Sequence, residues 1–151
     1  GRLSKEKGIF NFISMLQRIK INAKLEIAGY SDNFSYKNPD IKLLGYIADP
    51  IKLIDAYDKC NITILPSYTE GYPYVVDESL ARKRPVIVFE EISYVAEGKI
   101  GVFVSKRNHE SLEKTIQNIL NNYKNIQDDM SKNLLPTKKS MLKQISDIIG
   151  I

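Results

Sequence analysis

The sequence predicts an α/β domain in three layers, a parallel sheet with helices on both faces. Short apolar runs alternate along the chain with longer amphipathic stretches, the pattern of strand and helix units that build a covered parallel sheet. The runs stop at turn formers, at Gly29, Gly45 and Pro66, where a strand ends most readily. At 151 residues the chain suits one domain with one sizeable core and is too short for two ordinary ones.

The first expected element is a helix from Gly8 to Lys20, with Ile9, Phe10, Ile13, Leu16 and Gln17 at helical spacing. A strand follows at Ala23–Ala28 and ends in Gly29. The Ser, Asn, Asp and Pro content of Tyr30–Asp40 favours a loop, and Ile41–Leu44 before Gly45 reads as the next short strand. Asp49-Pro50 has the form of a cap followed by a first-turn proline, which starts a helix over Ile51–Lys59 with Ile51, Ile54 and Tyr57 facing inward. Ile62–Leu65 is a strand stopped by Pro66-Ser67, and a loop ending at Gly71-Tyr72 leads into a helix from Pro73 to Arg82. The β-branched runs Val86–Val88 and Val102–Val104 are the last two strands. Asn108 caps a helix through Leu120, and two further helical patterns reach Ile151, separated near Pro136. A strand ending in a glycine loop normally precedes a first helix of this kind, yet Gly1-Arg2-Leu3 is already loop. The expectation is a chain that starts mid-motif, with its first strand truncated and an edge left open inside the sheet.

Composition narrows the class. The hydrophobic share of 43% and charged share of 26% are those of a globular protein and exclude disordered or disulfide-stapled chains. Cys60 is the single cysteine, so no internal disulfide forms, and its apolar flanks suit a half-buried structural thiol. His109 follows Asn108 at a helix start, where a solvated first-turn residue is the simple reading, and no cluster of metal ligands is visible in the sequence. No apolar run approaches the roughly 20 residues that span a bilayer, and the N-terminus lacks a signal-peptide core; a cytoplasmic location is expected. The net charge of +4 and pI of about 9.0 suit a phosphate-bearing partner, with a nucleotide, an anionic membrane surface and nucleic acid all open. The basic residues are not interleaved with aromatics as in single-strand binders, so nucleic acid is the weakest of the three.

The most informative stretch is Ser67-Tyr68-Thr69-Glu70-Gly71-Tyr72-Pro73-Tyr74-Val75-Val76-Asp77-Glu78-Ser79-Leu80-Ala81. Glu70 lies just before a helix N-terminus, where backbone N–H groups and the positive dipole end receive phosphate oxygens. Gly71 lets the backbone approach a ligand closely. Glu78 projects from the same helix, and an ionised carboxylate accepts two hydrogen bonds from a ribose diol. Taken alone, the two carboxylates are a loop acid and a solvated helix residue. Their place just after the strand Ile62–Leu65 favours a ligand site, because open α/β sheets bind ligands at the carboxyl ends of their strands.

This segment, E-G-Y-P-Y-V-V-D-E-S, resembles the motif of two glutamates with seven residues between them in the donor domain of GT-B glycosyltransferases of group 1, or family four. Gly1-Arg2-Leu3-Ser4-Lys5-Glu6-Lys7-Gly8 is similar to the Gly-Arg and Lys-Gly pairs ahead of the family's first helix. Leu43-Leu44-Gly45-Tyr46-Ile47 is similar to its base-flanking loop, and Arg84-Pro85-Val86-Ile87 to the strand after the double-Glu helix. The four matches, in order, cover roughly residues 1 to 120. The resemblance implies a Rossmann-like half of a GT-B enzyme, with residues 1–151 as a single donor domain and an N-terminal acceptor domain as its missing partner. It implies that Arg2 and Lys7 hold the donor pyrophosphate and stabilise the leaving diphosphate, a catalytic role shared with Glu70, which contacts hydroxyls of the transferred sugar. Donor binding falls to Glu78 at the ribose, to the backbone around Gly71, Tyr72, Pro73 and Tyr74 at the phosphates or sugar, and to Ile47 beside the base. The implied substrate is a UDP- or GDP-sugar, transferred with retention to an acceptor such as a growing polysaccharide or glycolipid, with no cofactor and no metal. Family habit adds a peripheral position at the inner face of the membrane. The fragment alone is expected to be inactive, with its helices from Tyr123 onward mobile or docked elsewhere for want of the other half.

The chain departs from the pattern twice. Lys83 stands where the family has Gly, so a turn built differently is expected there, since Lys at positive φ is strained. Phe89-Glu90-Glu91-Ile92-Ser93 replaces a Gly-rich loop beside the donor site. Two other classes stay open: a non-catalytic nucleotide-sugar-binding module of the same fold, and an unrelated doubly wound module of receiver type. The second lacks the acidic cluster and strand-end Asp that its chemistry needs.

Overall fold

The computed structural model of the chain describes residues 3–30, 38–137, 139, 140, 143, 146 and 147. The order of elements is α1 (Ile9–Leu16), β1 (Leu25–Ala28), β2 (Ile41–Gly45), α2 (Pro50–Lys59), β3 (Thr63–Leu65), α3 (Tyr74–Ala81), β4 (Val86–Phe89), a 3-10 helix (Glu90–Ala96), β5 (Val102–Ser105), α4 (His109–Asn121) and α5 (Tyr123–Met130). Every expected strand and helix up to α5 is present, with ends moved by a few residues. Of the expected loop Tyr30–Asp40, residues 31–37 lie outside the described residues.

All strand pairs are parallel. β4 is the central strand of a three-stranded sheet, flanked by β3 (Thr63↔Val86, Leu65↔Val88) and β5 (Val86↔Val102, Phe89↔Ser105). Its apolar run is buried on both faces, as a covered parallel strand requires, and the side chains alternate between two cores. Ile87 and Phe89 join Phe12 and Ile13 of α1 and Leu112, Ile116 and Ile119 of α4 on one face. Val86 and Val88 meet Val76 and Leu80 of α3 with Ile92 and Val95 of the 3-10 helix on the other. This is the expected three-layer α/β architecture. β1 and β2 form a separate pair with a bulge after Ile27, and no backbone pairing among the described residues joins them to β3.

Local signals explain the helix boundaries. Asp49 accepts from the amide of Ile51 at 2.9 Å, and Asn108 from that of Ser111 at 2.8 Å, each satisfying a donor that the first turn would leave open. α1 stops at Leu16 rather than Lys20, because Arg18 bonds back to Met15 and Ile19 to Leu16, tightening the last turn to 3-10 geometry. α3 ends in a Schellman turn: the amide of Lys83 reaches the carbonyl of Leu80, and that of Arg84 the carbonyl of Ser79. Lys83 itself sits at φ 53°. The expectation of a differently built turn is therefore corrected: the ordinary left-handed turn is kept, and Lys bears its strain.

Two further expectations are corrected. Ile51 and Ile54 do not face inward; they are 71% and 43% exposed, and α2 buries none of its ten residues. Leu53, Ala56 and Tyr57 make its half-buried side, because the nearby sheet offers the ion pair Glu26–Lys42 (3.2 Å) rather than an apolar surface. α5 is also not docked away from the sheet. Met130 is buried with Leu65, Val86 and Val88, Tyr123 donates to the carbonyl of Asn61 at 2.7 Å, and Gln127 to that of Lys83 at 3.0 Å. Tyr123, Ile126 and Met130 share one helical side that covers the domain's own cores, so no second half is needed to hold them. Beyond Pro136, helical residues recur at 139, 140, 143, 146 and 147.

Candidate functional site

The site forms where β3 ends. Pro66 stops the strand, and the segment Pro66–Tyr68 runs against the loop before α1: the amide of Tyr68 donates to the carbonyl of Glu6 at 2.9 Å. Gly8 permits this approach. Its φ is +66°, and a Cβ there would lie 2.0 Å from the carbonyl oxygen of Pro66, closer than any side chain tolerates.

This packing brings together two of the residues singled out from the sequence. Lys7 Nζ lies 2.6 Å from Glu70 Oε1, and the same oxygen accepts from the Ser67 hydroxyl at 2.6 Å. Ser67 is fully buried, so a fixed neutral donor and a half-exposed cation hold one carboxylate oxygen between them. The carbonyl of Glu70 accepts from the Tyr94 hydroxyl, which reaches over from the 3-10 helix. Gly71 opens onto free space, with no atom within 4 Å of where a Cβ would stand. Tyr72 and Tyr74 follow, both exposed, with rings edge to face at 5.3 Å. Pro73 is the N-cap of α3, and no side chain caps that helix; the Val76 amide bonds back to the Pro73 carbonyl at 3.0 Å, and the dipole's positive end lies toward the Glu70 loop.

Glu78 lies a turn into α3 and is exposed. Its Oε2 accepts from the Tyr57 hydroxyl at 2.8 Å, which ties α3 to α2. Burial, then the bond to Glu78, raises the Tyr57 hydroxyl well above its ordinary value, so it stays a donor. Ile47 is apart from this group. It lines an open groove of about 560 Å³ with Tyr46, Asp49 and Lys52, and neither Lys7 nor either glutamate of the motif borders it. Arg2 lies outside the described residues.

The sequence reading missed several polar groups. Asp77, nearly buried in α3, accepts from the Tyr72 hydroxyl and pairs with Lys99 Nζ at 3.0 Å. The bond to Asp77, then burial, pushes the Tyr72 hydroxyl up to about 12. Arg107 donates to the carbonyls of Pro66 (3.0 Å) and Ser67 (3.1 Å) and to both carboxylate oxygens of Glu91 (2.6 and 3.2 Å). The Arg107 guanidinium holds the Glu91 carboxyl below its ordinary value. Ser67, Glu91 and Arg107 each stand within two residues of a strand's carboxyl end, and the strand-end rule, applied to all three strands, would have flagged them. Cys60 is half-buried, donates to the carbonyl of Tyr57 at 3.2 Å, and has its thiol pushed up by burial. His109 pairs with Glu110 on the first turn of α4 at 3.2 Å. Among the described residues no group of three or more His, Cys, Asp or Glu is placed to hold a metal ion, and no helix is long and apolar enough to cross a membrane.

A sequence profile of the family described as glycosyl transferases group 1 matches residues 1–134. The chain belongs to the group 1 glycosyl transferases. A capsular polysaccharide biosynthesis glycosyltransferase of Staphylococcus aureus, CapM, is 28% identical over 137 residues, which are 80% of this chain and 35% of that protein. An uncharacterized glycosyltransferase of Methanocaldococcus jannaschii is 28% identical over 157 residues, 97% of this chain and 42% of its own length. The chain thus spans well under half of these relatives. Two solved structures share the fold. HepE of Anabaena in complex with UDP matches with a TM-score of 0.73 at 17% identity, over 99% of this chain and 47% of HepE. Sucrose-phosphate synthase of Thermosynechococcus elongatus matches with a TM-score of 0.76 at 20% identity, over 99% of this chain and 43% of the synthase. The group 1 chain therefore has the Rossmann-like α/β fold expected of one half of a GT-B glycosyltransferase.

Proposed function

We propose that this group 1 domain binds the nucleoside diphosphate sugar of a retaining glycosyltransferase, and that an N-terminal acceptor domain completes the enzyme. The observation that carries the reading is the Lys7–Glu70 pair at 2.6 Å, set before an uncapped helix at the carboxyl end of β3. A diphosphate placed there meets a cation, first-turn amides and a helix dipole together. Lys7, joined by Arg2, stabilises the negative charge that grows on the diphosphate as the sugar–phosphate bond breaks; stabilisation of this kind is often the largest catalytic term and needs no metal. Glu70 accepts hydroxyls of the transferred sugar, while the backbone from Gly71 to Tyr74 donates to phosphate or sugar oxygens. Glu78, already aimed by Tyr57, accepts the ribose diol. Ile47 borders the base. Retention requires the acceptor hydroxyl to bond to the sugar on the face that the diphosphate vacates.

The titration of UDP-glucose bound by HepE into this chain is the natural start, alongside UDP, GDP and GDP-mannose. The reading expects one base to bind, a polysaccharide or glycolipid acceptor to be used only with the N-terminal half present, and both Glu78→Ala and Arg2→Ala to abolish binding. A folded chain that binds every nucleotide equally, or whose variants bind as tightly as the parent, contradicts it. The second reading, a binding module without turnover, shares the titration result. It differs in the complete protein, where it predicts donor binding with no sugar transferred and no donor hydrolysed.

A further inference from the structure

We infer that Arg107, held in place by Glu91, is a positioning residue for the Lys7–Glu70 site. The inference rests on the donor-binding reading for its consequence and on the following geometry for its substance. Arg107 follows β5 by two residues, Glu91 follows β4 by two, and Pro66-Ser67 directly follow β3. Three neighbouring parallel strands thus deliver these groups to one edge of the sheet.

The guanidinium is fixed on every side. Its carbon lies 3.9 Å from the ring centroid of Tyr68 and 4.4 Å from that of Phe89, and its side chain is 11% exposed. A planar fork is the one cationic side chain that serves two carbonyls and a bidentate carboxylate at once. Glu91 orients that fork, and the fork grips the carbonyls of Pro66 and Ser67.

Those carbonyls belong to the segment that builds the site. Ser67 supplies the buried hydroxyl on Glu70 Oε1. The Pro66 carbonyl is the surface against which Gly8 turns, directly after Lys7. The Tyr68 amide holds the carbonyl of Glu6, directly before Lys7. Moving Pro66–Tyr68 therefore displaces both partners of the Lys7–Glu70 pair, although Arg107 touches neither side chain. The Tyr57–Glu78 contact and Ile47 lie on other elements. Arg107 accordingly governs the phosphate and sugar end of the donor site and leaves the ribose and base end alone. The 3-10 helix that replaces a Gly-rich loop supplies Glu91, so this departure of the sequence has a use at the site.

The test compares R107K and E91Q with the parent chain in titrations of UDP-glucose, UDP and UMP, or of the guanosine series if that base is the one bound. Folding is checked by thermal melting. R107K keeps the charge and loses the fork; the expected result is UDP-glucose binding weakened on the order of ten-fold or more, with UMP affected less than about two-fold. E91Q removes the orienting charge and is expected to shift the same ligands in the same order by a smaller factor. Should R107K fail to fold, E91Q carries the comparison. Equal losses for all three ligands would reduce Arg107 to a general staple and overturn the proposal, as would unchanged UDP-glucose binding in both variants. The 13C resonances of the Glu70 carboxyl and the Lys7 side chain are read without ligand. If the parent binds no nucleotide, the donor-binding reading fails, and these resonances decide the positioning claim by themselves: displacement in R107K upholds it, and unchanged positions reject it.

Discussion

The two strand groups of this domain are built to different standards. In the β3–β4–β5 half, all four residues of β4 are fully buried between two apolar cores. In the β1–β2 half, Lys42 and Leu43 are open to solvent and the adjoining α2 buries nothing. The proposed phosphate and sugar contacts, Lys7 and Glu70, belong to the tightly packed half, and Ile47 beside the proposed base belongs to the loose one. Binding energy that serves charge stabilisation requires groups held in place before the ligand arrives, whereas stacking beside a base tolerates a looser neighbour. Under the proposed function, the difference in packing matches the difference in task.

A pair of identical substitutions measures that contrast most sharply. Ile87→Ala in β4 should cost about 2–5 kcal/mol in urea unfolding, through lost transfer energy and a cavity that the packed strands cannot close. Ile51→Ala on α2, 71% exposed in the parent, should stay within about 0.5 kcal/mol; comparable losses would erase the distinction between the halves. Gly8→Ala comes next. Its positive φ and the 2.0 Å approach to Pro66 predict a loss exceeding about 1 kcal/mol, accompanied by weaker nucleotide binding as Lys7 is pushed from Glu70. Lys83→Gly runs the other way, because it relieves a left-handed residue in the Schellman turn. A gain of up to about 1 kcal/mol in the same unfolding assay is expected, and a loss would mean the Lys83 side chain stabilises the turn by a contact that outweighs its strain.

The smallest effect concerns acid. Arg107 lowers the Glu91 carboxyl from its ordinary value of 4.5, so the folded state favours the ionised form. The resulting stability is complete above that ordinary value and is lost as pH falls through the lowered one. Melting temperatures of the parent should therefore drop more steeply than those of E91Q below about pH 4.5, with the two curves parallel above it. Parallel curves throughout would show that the Arg107–Glu91 pair contributes nothing to the rigid half.

What could be read from the sequence separates along the same line. β4 was legible because three β-branched residues in a row, bounded by Pro85, suit only a covered strand. The caps at Asp49 and Asn108 were legible because a short Asx side chain reaches only its own helix's amides. The inward side of α2 was not, since periodicity marks an apolar stripe without saying whether an apolar partner exists, and β1 and β2 present Glu26 and Lys42 instead. The docking of α5 was missed because an amphipathic helix reads the same whether it covers its own domain or another. At the site, Glu70 was legible from the double-Glu segment and Lys7 from the Lys-Gly pair, and the fold brings these two together from 63 positions apart in sequence. Arg107 was passed over: its place two residues past β5 marked it, but one arginine between a strand and a helix looks like solvated charge until its partners, the carbonyls of a distant loop, are in view.

The central claim is that Glu70 and Lys7 form the sugar and diphosphate end of a donor site, and calorimetry with Glu70→Gln tests it most directly. The account predicts that the parent chain binds a sugar nucleotide more tightly than the bare nucleoside diphosphate, and that Glu70→Gln removes this advantage while diphosphate binding persists through Lys7 and the first turn of α3. An undiminished preference for the sugar conjugate in Glu70→Gln would contradict it.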